Sequence, residues 1–196
     1  MNNQARFRAS YSVLSTWSSG NWDLAIGMYF RIKKFTTEKM AAGSDMHKSW
    51  ENEIIKTQCM PSVFGSGKLS APQPELKLVA QLDDWLDLVG KIDCLDGNTI
   101  YEFKTGKTSS EIYANSVQPA IYGVLATLSG YVVDKAEIHH YDQYSKNVDM
   151  SIVWLTKKHM EDAYNWVYSL SSEMHNYILE NDLYERFKDV PRLPYN

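Results

Sequence analysis

The pattern of apolar and polar positions changes period several times along the chain. Ser12 to Lys34 predicts a first helical region. A second helix begins near Thr36 and Thr37 and runs to about Gln58, with Met40, Gly43, Met46, Trp50 and Ile54 recurring at helical spacing. Met60 to Pro74 holds prolines and glycines among serines and predicts a loop. The period then becomes two. Glu75 to Leu82, Trp85 to Leu95 and Thr99 to Lys104 predict three strands, the last two joined by a tight turn at Gly97-Asn98. A helix from Val117 to Leu128 follows, then strands over Tyr131 to Tyr141 and Val148 to Leu155, and an amphipathic helix from Lys157 to Glu180. Helix, three strands, helix, strand is a mixed α/β order. With no repeat and no long linker, one domain is expected over residues 1–196: a helical part over about 10–58, a core over about 75–155 and a last helix over about 157–180.

Composition narrows the class. A chain of 196 residues with 44% hydrophobic and 22% charged residues can bury one core in water. No apolar run approaches the roughly 20 residues that span a bilayer, so no membrane association is expected. Met1 to Tyr11 lacks the apolar stretch of a secretory signal. Arg6, Arg8 and several serines precede the first acid, Asp23, as in a transit peptide, yet a cytoplasmic location is expected over a mitochondrial one. Cys59 and Cys94 are the only cysteines, too few for an iron–sulfur cluster or a structural zinc site, and they read as buried thiols. A net charge of −4 argues against broad coating of nucleic acid. Any phosphate contact needs a local basic patch or metal ions.

The chemistry concentrates on one hairpin. If Gly97-Asn98 is the turn, Asp96 pairs with Thr99 and Asp93 stands opposite Glu102. Opposed residues share a face, and Lys104, two positions on, shares it too. The other face takes Leu86, Leu88, Ile92, Cys94, Tyr101 and Phe103 as core. Two carboxylates can hold a hard cation such as Mg²⁺, which polarises a phosphate and acidifies a water, while a lysine orients that water or offsets charge. An E-x-K triplet alone also suits a solvated strand face with a weak cross-strand ion pair.

The motifs decide between these readings. Gly90-Lys91-Ile92-Asp93, Tyr101-Glu102-Phe103-Lys104-Thr105-Gly106 and Gln118 to Tyr122 follow the order G-x-x-D, (D/E)-x-K-T-G, Q-x-x-x-Y. Upstream, Ser10 to Leu14 matches an opening Ser-x-Ser-x-Leu, and Gly43 to His47 matches G-x-x-x-H. Over residues 10 to 125 the sequence resembles the RecB-like branch of the PD-(D/E)XK nucleases. That resemblance implies a restriction-endonuclease-like α/β core, with a mixed central sheet flanked by helices. It implies His47, Asp93, Glu102 and the Phe103 carbonyl as ligands of Mg²⁺ or Mn²⁺, Lys104 as the catalytic lysine, and Gln118 and Tyr122 as contacts to DNA or braces of the site. The expected function is a deoxyribonuclease, an exonuclease on single-stranded DNA or on ends, encoded by a bacterium or phage. A structure-specific endonuclease, or a weakly active nucleic-acid-binding subunit on the same fold, is the alternative. Relatives that carry an iron–sulfur cluster supply four cysteines that this chain lacks.

Other residues keep two readings. Glu51 can orient His47 or be a solvated acid. Gln118 can cap its own helix with Asn115, and Pro119 fits if that helix begins near Asn115 or Ser116 or kinks there. Trp17, Trp22, Tyr29 and Phe30 can stack unpaired bases or pack in the core. Lys33, Lys34 and Lys107 can touch phosphate or face solvent. Lys157, Lys158 and His159 are expected in solvent. His139 and His140 receive no role.

Overall fold

The computed structural model describes residues 6–32 and 38–193, without the side chains of residues 38–41. Lys33, Lys34 and the Met40 side chain therefore lie outside the described residues. The strands are β1 (Phe7–Ala9), β2 (Gln73–Gln81), β3 (Leu86–Asp96), β4 (Thr99–Thr105), β5 (Lys135–Tyr141) and β6 (Val148–Trp154). The helices are α1 (Tyr11–Ser18), α2 (Trp22–Tyr29), α3 (Glu38–Thr57), α4 (Ser110–Ala114), α5 (Gln118–Leu128), α6 (Lys157–Glu180) and α7 (Leu183–Arg186). The expected mixed α/β fold, a mixed sheet flanked by helices, is the fold observed.

One sheet holds all six strands in the order β1-β3-β4-β5-β6, with β2 also on β3. Antiparallel β2 runs along β3 from Gln73↔Leu95 to Gln81↔Asp87 and occupies one edge of it. Parallel β1 pairs with Leu86 to Leu88, and antiparallel β4 pairs with Cys94 to Asp96. Both must therefore share the other edge, and between them Val89 to Asp93 has no strand neighbour there among the described residues. This opening in the sheet is where the candidate site lies. Parallel β4 and β5 need a crossover, which α4 and α5 supply.

Packing explains the layers. Phe7, Leu14, Trp17, Phe30, Leu86 and Leu88 pack with α5 and α6 residues such as Leu125 and Val167 in the largest cluster. Ile92, Leu95, Ile100 and Ile138 continue this layer under Ala126 of α5. On the opposite side, Trp50 and Ile54 of α3 close over Cys94, Phe103 and Met60. α6 runs from Lys157 to Glu180 as expected, and Thr156 caps it, its Oγ1 accepting from His159 N–H at 3.2 Å. Among the described residues no helix is long and apolar enough to cross a membrane.

Several expectations are corrected. The first helical region is two helices, broken where Gly20 takes φ +81°. α5 begins at Gln118, with Pro119 in its first turn and a separate short α4 before it, so no Asn115–Gln118 capping box forms. The strand after α5 begins at Lys135, not Tyr131. The residues assigned to one core face of the hairpin divide. Leu86 and Leu88 join the first cluster, Ile92 packs with Leu95, and Cys94, Tyr101 and Phe103 pack against α3. Side-chain alternation therefore slips at Asp93. The β2–β3 pairing skips this position, where Glu75 takes a left-handed φ of +53°.

Candidate active site

The β3–β4 turn forms as expected, with Gly97 at φ +55° and Asp96 paired with Thr99. The ladder stops at Cys94↔Tyr101, one pair short of Asp93 and Glu102. Instead the strands part, and the Asp93 Oδ2 accepts the Phe103 N–H at 2.8 Å. A carboxylate thus replaces a strand carbonyl at the point where the sheet opens. Through this opening α3 brings the His47 Nδ1 to 3.6 Å from Asp93 Oδ1, too long for a hydrogen bond. The imidazole leans on Trp50, which anchors this part of α3 in the core. Gly43, one turn earlier, lets α3 approach β4: a Cβ there would stand 2.9 Å from Thr105 Oγ1.

Glu102 is 5% exposed. Its Oε1 accepts from Lys104 Nζ at 2.6 Å and from Gln118 Nε2 at 3.0 Å, while its buried Oε2 has no partner among the described residues. Gln118 also accepts from Lys104 at 3.2 Å and donates to the Tyr122 hydroxyl at 3.0 Å. The Lys104 ammonium lies 5.3 Å from the centre of the Tyr113 ring. The structure thus brings together Asp93, Glu102, Lys104, His47, Gln118 and Tyr122. Phe103 borders the same cleft with its backbone, since its ring packs against Trp50 and Phe64 on the other face.

Burial sets the electrostatics. Glu102 is pushed up to about 7, first by burial and then by the charge of Asp93, with Lys104 offsetting part of it. Burial also favours a neutral Asp93, but His47, Lys104 and the Phe103 N–H outweigh it and hold the carboxyl below its ordinary value. Burial would strip the proton from His47 and from Lys104; the neighbouring carboxylates win in both and raise them. The two carboxylates are therefore driven apart in proton affinity. Among the described residues, no three His, Cys, Asp or Glu side chains close into a ready metal cage. The donor set is open: among the described residues Asp93 Oδ1 and Glu102 Oε2 accept no hydrogen bond.

A cleft of about 1300 Å³ opens over His47, Asp93, Lys104 and Tyr122, with Glu102 and Gln118 bonded to Lys104 behind its lining. Its walls are the start of α1, His47 and Lys48 of α3, the Gly106-Lys107 turn, and Tyr113 and Tyr144; Val89 to Lys91 line it beneath. Gly90 is required by close packing from behind, because a Cβ there would sit 2.8 Å from Leu125 Cδ2 and 3.3 Å from Tyr122 Cε1. Leu125 is fully buried and cannot retreat. Gly90→Ala is expected to cost roughly 1–3 kcal/mol in denaturant unfolding, the usual penalty of overpacking; an unchanged midpoint would contradict this contact.

The remaining candidates separate clearly. Glu51 accepts from Lys48 at 2.5 Å and not from His47. Trp17 and Phe30 are core, Tyr29 bonds the Tyr184 hydroxyl, and exposed Trp22 stacks on Trp17; none of the four borders the cleft. Lys107 does border it. Lys157 and Lys158 face solvent in pairs with Glu161 and Asp162. His140 has structural partners that sequence did not disclose: Asp149 at 2.6 Å and the Gly106 carbonyl at 2.9 Å, which fix the turn after Lys104. Tyr113 and Tyr144 were also missed, because neither carries a local motif.

Comparison with known proteins adds the fold. No protein-family model and no curated protein matches the sequence. The structure is similar to an alkaline exonuclease, LHK-Exo, from Laribacter hongkongensis, at 12% identity and a TM-score of 0.59 over 93% of this chain and 95% of that one. The same enzyme in complex with dAMP matches at 11% identity and 0.56, over 93% and 94%. A provisionally assigned exonuclease from Eubacterium rectale matches at 13% and 0.55, over 97% and 91%. The likeness is one of fold.

Proposed function

We propose that this chain is a metal-dependent deoxyribonuclease of the PD-(D/E)XK type, RecB-like and folded as one domain. It hydrolyses phosphodiester bonds as an exonuclease on single-stranded or end-processed DNA in recombination, repair or replication. The observation that carries this reading is the Glu102 carboxylate, buried with an unpartnered oxygen in the field of Asp93. Such a pair costs stability unless something compensates it, and a divalent cation is the simplest compensation.

Asp93, Glu102, His47 and the Phe103 carbonyl would hold Mg²⁺ or Mn²⁺. An ion of this class takes hard oxygen donors and needs only one or two carboxylates beside water and phosphate, so an open donor set suits it. When bound it polarises the phosphate and acidifies a water. The chain's own residues supply the rest. Lys104 has three N–H groups, of which Glu102 and Gln118 engage two. The third is available to a non-bridging phosphate oxygen, where it offsets charge that grows during attack. Gln118 keeps the ammonium aimed. Tyr122 holds Gln118 and, bordering the cleft, touches the DNA strand.

The test is cleavage of end-labelled single- and double-stranded DNA with Mn²⁺, Mg²⁺ or EDTA, by the native chain and by Lys104→Ala. Cutting that needs the metal and falls about a hundredfold or more in the variant is expected, the scale of one lost charge-stabilising donor. A ladder of single-nucleotide steps indicates exonuclease action. If the native chain cuts no DNA with either metal, the reading is wrong.

A further inference from the structure

We propose that Tyr144 and Lys107 form a nucleotide clamp at the mouth of the cleft, which takes an unpaired base on the Tyr144 ring and the adjoining phosphate on the Lys107 ammonium. It rests on the DNA-cleaving reading above and specifies the substrate as DNA with unstacked bases.

Tyr144 sits at the tip of the β5–β6 hairpin and is 56% exposed although it borders a deep cleft. A large aromatic ring left in water is unusual on a loop that could turn it inward, and this loop is held in shape. The Asp142 carboxylate accepts the Tyr144 N–H at 2.9 Å and the Ser145 hydroxyl at 2.7 Å. The Asp142 backbone N–H donates to the Asn147 carbonyl at 2.9 Å, and the Lys146 N–H donates to the Asp142 carbonyl at 2.7 Å, with Lys146 itself at φ +62°. The ring is thus presented by a braced turn, and little ordering entropy remains to be lost on binding.

Across from it stands the turn after Lys104. Gly106 N–H donates to the Tyr141 carbonyl at 3.3 Å, and buried His140 donates from Nε2 to the Gly106 carbonyl at 2.9 Å. These contacts fix Lys107, whose ammonium lies 5.2 Å from the Tyr144 ring centre. Of the other lysines bordering the cleft, Lys48 pairs with Glu51, Lys91 with Glu75 and Lys104 with Glu102, whereas Lys77 and Lys107 have no acidic partner among the described residues, and of these two it is Lys107 that stands at the Tyr144 ring. An unneutralised cation beside an exposed aromatic face matches one nucleotide unit: an anion and a flat π-surface joined by a sugar. Inside duplex DNA each base face is already covered by its neighbours, so it is unpaired DNA whose bases along the strand can use the ring.

The experiment measures binding of a fluorescein-labelled oligothymidylate and of a blunt duplex to the full chain in EDTA, where cutting is silent. Tyr144→Ala is expected to weaken oligothymidylate binding about tenfold, as loss of one stacked base does, to leave duplex binding within about twofold, and to be rescued by Tyr144→Trp. Lys107→Ala is expected to weaken binding to both and to lower the salt slope by about one. Because both side chains are exposed, the variants keep the native melting temperature. If Tyr144→Ala binds oligothymidylate as the native chain does, the clamp is refuted while the nuclease reading stands. If the native chain binds neither DNA in EDTA, the clamp is refuted, and the nuclease reading is decided separately by cleavage with metal.

Discussion

Asp93→Asn is expected to reduce metal-dependent DNA cleavage about a thousandfold or more while leaving the fold intact. Asp93 performs two tasks with two oxygens. Oδ2 takes the Phe103 N–H that the β3–β4 ladder leaves unpaired, and Oδ1 faces His47 without a hydrogen bond. Asparagine keeps an acceptor for the N–H and loses the charge. A bound divalent ion contributes several kcal/mol to a phosphoryl-transfer barrier, and about 4 kcal/mol is a thousandfold in rate. Asp93→Ala removes the acceptor as well, so it is expected to lose the same activity and a further ~1–3 kcal/mol of stability for the orphaned N–H. Cleavage rates and urea melts of the two variants separate the tasks. Substantial activity in Asp93→Asn would sink the ligand role. Equal stability of the two variants would sink the structural one.

The hairpin was legible because its information is local. Gly97-Asn98 fixes the turn and the turn fixes the register as far as Cys94↔Tyr101, beyond which the parted strands leave Asp93 on the Phe103 N–H, near Glu102 and Lys104. Helix α6 was equally legible, since Thr156 caps it and its apolar stripe is long. What failed depends on distant partners. Three residues of β1 show no periodicity and are held by β3 and by Arg6, which bonds Asp87 at 2.8 Å. In β6 alternation predicted a strand but not which face is buried: Val148, Met150, Ile152 and Trp154 are exposed, while Asp149 and Ser151 are held by Ser110 of α4. Period two specifies that faces differ, and only the layer laid on the sheet decides which is inside. Gln118 had two local readings, and Glu102 and Lys104, far away in sequence, select the bridging one. The slip at Asp93 could not be seen because nothing nearby marks a left-handed Glu75 on the neighbouring strand.

Glu102→Gln is expected to abolish activity and yet to stabilise the metal-free protein at pH 8. The sign follows from the direction of the shift. Folding raises Glu102 from an ordinary 4.5 to about 7, so the folded chain binds its proton more tightly than the unfolded chain does. The stabilising contribution of that proton is complete below about 4.5 and is lost as pH rises through about 7. At pH 8 the native carboxylate is charged, buried and beside Asp93, a cost that glutamine avoids while its carbonyl still accepts from Lys104 and Gln118. Lys104 loses its counter-charge in the variant, which trims the gain to roughly 1–3 kcal/mol. In EDTA, melting temperatures are therefore expected to diverge in favour of Glu102→Gln at pH 8 and to converge near pH 5. His47 and Asp93 titrate in both proteins but feel the Glu102 charge, so the difference between the two reports Glu102 together with its pull on those neighbours. Adding Mg²⁺ is expected to reverse the order, because an ion that binds only the folded native site stabilises it by mass action. A Glu102→Gln chain less stable than native at pH 8 in EDTA would show that the Lys104–Glu102 attraction outweighs the buried charge, and the site would then be a stabilising ion pair with no need of a cation.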